Sequence, residues 1–279
     1  MLRLETESGW WLVTHVDHAN LAGAFAEKWG NALFRSPEPR ECVLKGIARH
    51  DDGWRTRDAS PQITRAGKPS AFSVELVGKY SAFEEIDLTE YLAVRDNALR
   101  LIAEADAYAA ILVSMHTYNL LSERADRSTI APAQLPLLDE FLARQKDLQR
   151  TLRERIAGDD SLSAEEASDA AILDHFRLLQ AVDNLSLLTC VDYREAATLL
   201  HPLPLNGGGH RAIAVRASGE RTFVLDPYPF DEPSITFTFA ARHIRRKIFN
   251  AAGDLQQSFA DAPVSQLRVT VQQREDSLN

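Results

Sequence analysis

The chain has 279 residues, 45% hydrophobic and 25% charged, an ordinary globular composition with ample length to bury a core. A net charge of −9 argues against a general nucleic-acid binder, which needs a basic face. No apolar run approaches the roughly 20 residues of a membrane span, so no membrane partner is expected.

Cys42 and Cys190 lie far apart among apolar neighbours, outside any C-x-x-C pattern, and read as small buried hydrophobes of a reducing compartment. The opening MLRLETESGWW lacks the basic-then-apolar layout of a signal peptide, so a cytoplasmic protein is expected, with homo-oligomerisation left open.

Trp10 to Val13 reads as a short strand, and residues 17 to 34 carry helical periodicity through Ala22, Phe25, Ala26 and Trp29. Pro37 and Pro39 start a second helix that runs through Val43 and Ile47 into IARHDDGW. Residues 55 to 84 contain Pro61, Gly67, Pro69 and Gly78 and read as a long ordered loop of the kind that carries function. Asp87-Leu88-Thr89-Glu90 has capping-box spacing, and helices follow to about residue 124. Pro132 and Pro136 introduce an amphipathic helix over 135 to 157. A second capping box, Ser163 to Glu166, predicts a helix from there to about residue 192.

From Asn206-Gly207-Gly208-Gly209 onward the pattern alternates with period two, through Ala212 and Ala214, Phe223 and Leu225, Ile235, Phe237 and Phe239, then Leu267, Val269 and Val271. Residues 203 to 273 therefore predict a small antiparallel sheet, with the glycines as a hinge and REDSLN as a frayed tail. The division expected is a helical domain over 1–200 and a β-rich appendage over 201–279.

Polar residues inside apolar stripes carry the functional signal. On the last long helix, Ile172, Phe176, Leu179, Leu187 and Cys190 define a core face, and Asp183 lies one turn from Leu179 and one from Leu187. A buried, unpaired carboxylate costs several kcal/mol or more, so Asp183 needs a partner. His116 lies four residues from both Leu112 and Leu120. His18 shares a face with Ala22, Phe25 and Trp29, and His50 follows Ile47 by three residues. A lone inward histidine is usually a hydrogen-bonded core residue, and Asp51, Asp52 and Gly53 could serve only to end a helix. Four helices that each place such a group inward point instead to one shared cation.

A histidine on one helix, a His-Asp pair ending the next, and a distant Asp in QAVDNLSL together resemble the HD-domain metal-dependent phosphohydrolases. DHANLAGAFAEKWGN, HDDGW and LLQAVDNLSLL also resemble a smaller bacterial family with the pattern "DHA..AG..A..WG", "HD.GW" and "LQ..D.LSL". The resemblance covers most of residues 14 to 195. It implies a mainly α, HD-domain-like helical bundle with the small antiparallel β appendage, α+β overall. It also implies that His18, His50, Asp51 and Asp183 bind a first divalent metal ion. His116 and His175 fall where dinuclear members carry extra histidines, so one or two ions are expected, among Mn, Fe, Zn, Co and Ni. His175 lies roughly 80° around the helix from Asp183. His15, one turn before His18, suits a capping or supporting role.

The expected activity is hydrolysis of a small phosphorylated molecule or nucleotide by a metal-activated water. His116 would serve as acid or second-site ligand, and Asp58 would hold a metal-bound water or a substrate hydroxyl. Arg49, Arg55, Arg57, Lys68 and Trp54 would receive the anionic substrate. Two rivals remain. One is a di-iron oxygenase similar to myo-inositol oxygenase, which needs both His116 and His175 on metal. The other is a catalytically inactive scaffold with a filled, dry pocket.

Overall fold

A computed structural model describes residues 1–79 and 87–274. The chain runs β1 (Leu2–Glu5), β2 (Trp10–Val13), α1 (His15–Lys28), α2 (Arg40–Arg49), the one-turn α3 (Arg55–Asp58), α4 (Leu88–Ala103), α5 (Ala107–Ser122), α6 (Leu135–Ala157) and α7 (Asp169–Cys190). It continues through β3 (Ala197–Thr198), β4 (Leu203–Pro204), β5 (His210–Arg211), β6 (Ala214–Gly219), β7 (Thr222–Asp226), β8 (Ser234–Ile244), α8 (Ala252–Asp261) and β9 (Val264–Gln273).

Helix starts follow local chemistry. The carboxylates of Asp87 and Asp106 accept from the backbone N–H groups of Glu90 and Ala109, and Thr14 accepts from Asp17. Ser163 and Glu166 do exchange capping-box bonds, but they close only a turn. Ser168 then caps α7 by accepting from Ala171, so the cap of this helix lies five residues beyond Ser163, where the box placed it.

Helix α5 has no charged residue, and every side chain from Tyr108 to Ser114 is buried. A helix apolar all round must be surrounded, and α5 packs against α2, α4, α6 and α7.

The sheet corrects the expected fold class. Helix accounts for 48% of the chain and strand for 19%, and a curled seven-stranded sheet stands where a small antiparallel appendage was expected. Its order is β1-β2-β8-β9-β7-β6-β3, and β7 and β9 pair in parallel with Phe223 opposite Val271. Two strands come from the other end of the chain, with Trp11 of β2 opposite His243 of β8. Period-two alternation marks a strand but names neither its neighbour nor its direction, and a four-residue segment such as LRLE carries too little pattern to be read.

Along β8, Ile235, Phe237 and Phe239 alternate inward, and the Phe237 ring meets Phe25 of α1 at 4.7 Å between centroids. The largest apolar cluster joins Phe25, Ile47, Leu112 and Leu179 to Phe237 and Val269, so helices and sheet share one core. Gly208 and Gly209, expected as a hinge, take positive φ in the turn between β4 and β5.

The long loop after α3 is pinned along β1: Phe72 donates to the Met1 carbonyl, and Arg3 donates to the Phe72 carbonyl. Its residues 80–84, and the tail beyond Arg274, lie outside the described residues. No helix among the described residues is long and apolar enough to cross a membrane.

Candidate metal centre

The stripe residues converge. His18 comes from α1, His50 from the end of α2, Asp51 from the next position, His116 from α5 and Asp183 from α7; none is more than 8% exposed. After Asp51 the chain makes a 3-10 turn, Asp52 to Trp54, pressed against α4. A Cβ on Gly53 would lie 2.1 Å from the Val94 carbonyl oxygen, so only glycine fits this turn.

The histidine tautomers follow from their outer partners. His50 Nδ1 donates to the Ile47 carbonyl at 2.7 Å, which leaves Nε2 to face inward. That Nε2 is sealed from solvent, makes no hydrogen bond, and lies 3.3 Å from Asp183 Oδ1 and 3.8 Å from Asp51 Oδ2. Ser186 spends its one hydroxyl proton on the Asp183 carbonyl at 2.8 Å. With that proton so placed, its oxygen is free to accept from His18 Nδ1, 2.9 Å away. His18 Nε2 lies 3.0 Å from Asp51 Oδ2, within hydrogen-bond distance.

Two imidazole nitrogens thus face carboxylate oxygens, His18 Nε2 toward Asp51 and His50 Nε2 toward Asp183, an arrangement that needs a proton or a metal cation between each pair. His18, His50 and Asp51 form one group that could hold a metal ion, and His50, His116 and Asp183 form another. Gln180 meets His116 Nδ1 at 2.8 Å. If its amide nitrogen faces the ring, His116 Nε2 keeps a proton to donate; if its oxygen does, Nε2 is bare for coordination.

Electrostatics agree with a site built for positive charge. Burial alone would raise the Asp51 carboxyl, but the Arg95 guanidinium, then His50 and His18, hold it well below its ordinary range. Burial is likewise outweighed at Asp183, where His50, then His116 and His18, lower the carboxyl to about 2. At His50 burial opposes protonation, yet Asp51 and Asp183 raise it to about 9. Burial lowers His116 to about 3, so it is neutral at physiological pH.

The other expected site residues separate into two sets. His175 does not join the cluster: its Nδ1 meets the Tyr108 hydroxyl at 2.8 Å, and it lines a different cavity of about 370 Å³. Arg49 and Arg55 both donate to the buried Asp52, at 2.7 and 2.9 Å, and neither lines the large cavity beside the cluster.

Trp54, Asp58 and Lys68 do line that cavity, which measures about 710 Å³, together with His18, Asp51, His116 and Asp183. Asp58 meets the cluster only indirectly. Its carboxylate accepts from the backbone and Nδ1 of His15 at 2.6 and 2.8 Å and from the Met1 amino group at 3.1 Å. His15 in turn stacks on Trp54 at 4.1 Å.

Sequence reasoning missed Arg95. Its Nη1 donates to Asp51 Oδ1 at 2.6 Å, and it too lines the cavity. The signal was present: on α4, Leu88, Leu92, Arg95, Leu99 and Ile102 follow helical spacing, which places a charge in an apolar stripe as at Asp183.

The model of a protein family of unknown function, DUF3891, matches residues 1–246, a span that contains every residue of this cluster. The chain belongs to the DUF3891 family. No curated protein and no solved structure matches it. The cluster in this DUF3891 chain therefore stands on its own geometry.

Proposed function

We propose that this DUF3891 protein is a metal-dependent phosphohydrolase of the HD-domain type, acting on a small phosphorylated molecule. One observation carries the reading: the Nε2 atoms of His18 and His50, with their Nδ1 atoms engaged by Ser186 and the Ile47 carbonyl, face the oxygens of Asp51 and Asp183 beside a large cavity.

Three imidazoles and two carboxylates make a donor set suited to Mn, Fe, Zn, Co or Ni. An ion held there would supply Lewis acidity and a bound water of lowered pKa. The chain's own residues do the rest. Ser186 and the Ile47 carbonyl fix the tautomers, while Arg95 holds one oxygen of Asp51 and leaves the other for the cluster. Lys68 and Arg124 place positive charge on the cavity wall, which favours an anionic small molecule. Apolar Phe72, Leu76 and Leu120 line the same cavity and suit the organic part of such a substrate.

The oxygenase reading loses support because His175, one of its six ligands, faces a different cavity. The scaffold reading expected a filled pocket, and the cavity holds about 710 Å³.

The test is turnover of para-nitrophenyl phosphate by protein loaded with each of the five metals. Activity with at least one metal is expected, reduced on the order of a hundredfold or more in Asp183→Asn. Turnover that survives unchanged in that variant, or none with any metal, would overturn the proposal.

A further inference from the structure

We infer that Arg95 forms an oxyanion subsite at the cluster, with Nη2 as the donor to a phosphoryl oxygen of the substrate. The inference rests on the phosphohydrolase reading above and names the part of the cavity that receives the phosphoryl group.

The guanidinium of Arg95 is held on two of its three nitrogens. Nε donates to the Tyr91 hydroxyl at 3.2 Å and Nη1 donates to Asp51 Oδ1 at 2.6 Å. Its carbon also stands 5.5 Å from the Trp54 ring centroid and 5.1 Å from that of Tyr91, within cation–π range of both. Only 6% of the residue is exposed, and it borders the cavity.

Nη2 makes no hydrogen bond among the described residues, and it is not one of the sealed, unpartnered atoms such as His50 Nε2. It therefore keeps some exposure, on a side chain that lines the cavity. Neutralising Asp51 requires one donor; a lysine would provide it. A planar guanidinium fixed at two points and presenting a third nitrogen is the arrangement that suits tetrahedral oxyanions. Because the group is already immobilised, binding an oxyanion requires no further ordering of the side chain.

Four of the other cations fit this role less well. Asp52 engages Arg49 and Arg55, and Lys68 lies over the Trp10 ring at 5.7 Å. Arg124 borders the cavity, whereas the guanidinium bound to Asp51 is that of Arg95. Among the described residues, Arg95 alone joins a cluster carboxylate to the cavity through a guanidinium.

The experiment is calorimetric titration of inorganic phosphate into Mn-loaded wild type, Arg95→Lys and the control Arg49→Gln, with metal content measured on each. Arg95→Lys is expected to keep its metal and its fold while binding phosphate about tenfold more weakly or worse, and Arg49→Gln to bind as wild type does. Equal phosphate affinity in Arg95→Lys with full metal content would overturn the subsite and leave the metal reading standing. Loss of metal from Arg95→Lys would make Arg95 a support for Asp51 only, which also overturns it. A wild type that takes up no metal would overturn both. If the variant fails to fold, the guanidinium Nη resonance of Arg95 in Zn-loaded wild type decides: a shift on adding phosphate is expected, and no shift would overturn the inference.

Discussion

His50 holds its Nδ1 proton on the Ile47 carbonyl, so whatever occupies the space at its other nitrogen faces Asp183 and Asp51. Without metal, that occupant is a second proton. The folded-state value of about 9 lies above the ordinary 6.5, so protonation of His50 stabilises the fold fully below pH 6.5 and is lost as pH rises through 9. We expect metal-stripped protein to lose stability between about pH 7 and pH 9.5, by on the order of 3 kcal/mol at most. Denaturant midpoints measured across that range check this, and His50→Gln should flatten the trend. A midpoint independent of pH in the metal-stripped wild type would contradict the account.

The same residue scale shows what was legible. His18, His50, Asp51, His116 and Asp183 could be found because each breaks an apolar stripe. Arg95 breaks one too, but long arginines on such faces usually carry the charge out to solvent, which masks the signal. His175, off the Asp183 stripe, turned to Tyr108.

At the scale of elements, the turn after α2 places His50 and Asp51 side by side, and Gly53 lets that turn lie directly on α4. A methyl group there would meet backbone atoms of both Val94 and Ala98, which cannot move away as a side-chain end could. Gly53→Ala should therefore cost about 3 kcal/mol or more and displace Asp51 from Arg95, seen as a lowered thermal midpoint with weaker metal binding. A variant as stable as wild type would show that the turn and α4 are not in close contact.

Helix positions were legible where a cap or proline adjoins an apolar period, as at Asp87 and at α6. The start of α7 was not, because Ser163 and Ser168 offer competing caps and only tertiary packing selects between them. The strand β2 could be read from Trp10 to Val13, but while β1 on one side is adjacent in sequence, β8 on the other lies more than 200 positions along the chain, and no local pattern encodes that second pairing.

Across the whole molecule, α1 lies against β8, and the loop that walls the cavity is pinned to β1. The helices that carry the cluster thus depend on strands from both chain ends. A fragment ending at residue 200 keeps all five cluster residues but lacks β8, exposing Phe25 and β2. We expect it to give poorly dispersed amide resonances and no cooperative melt; a cooperatively folded fragment would contradict the single shared core.

The central claim is that one cation site draws these elements together. Its most direct test is elemental analysis of untagged wild type and of Asp51→Ala by inductively coupled plasma mass spectrometry. The account predicts stoichiometric first-row metal in the wild type and its loss in the variant. Absence of metal from both, even after incubation with Mn, Zn and Fe, would contradict it and leave a buried hydrogen-bond network in its place.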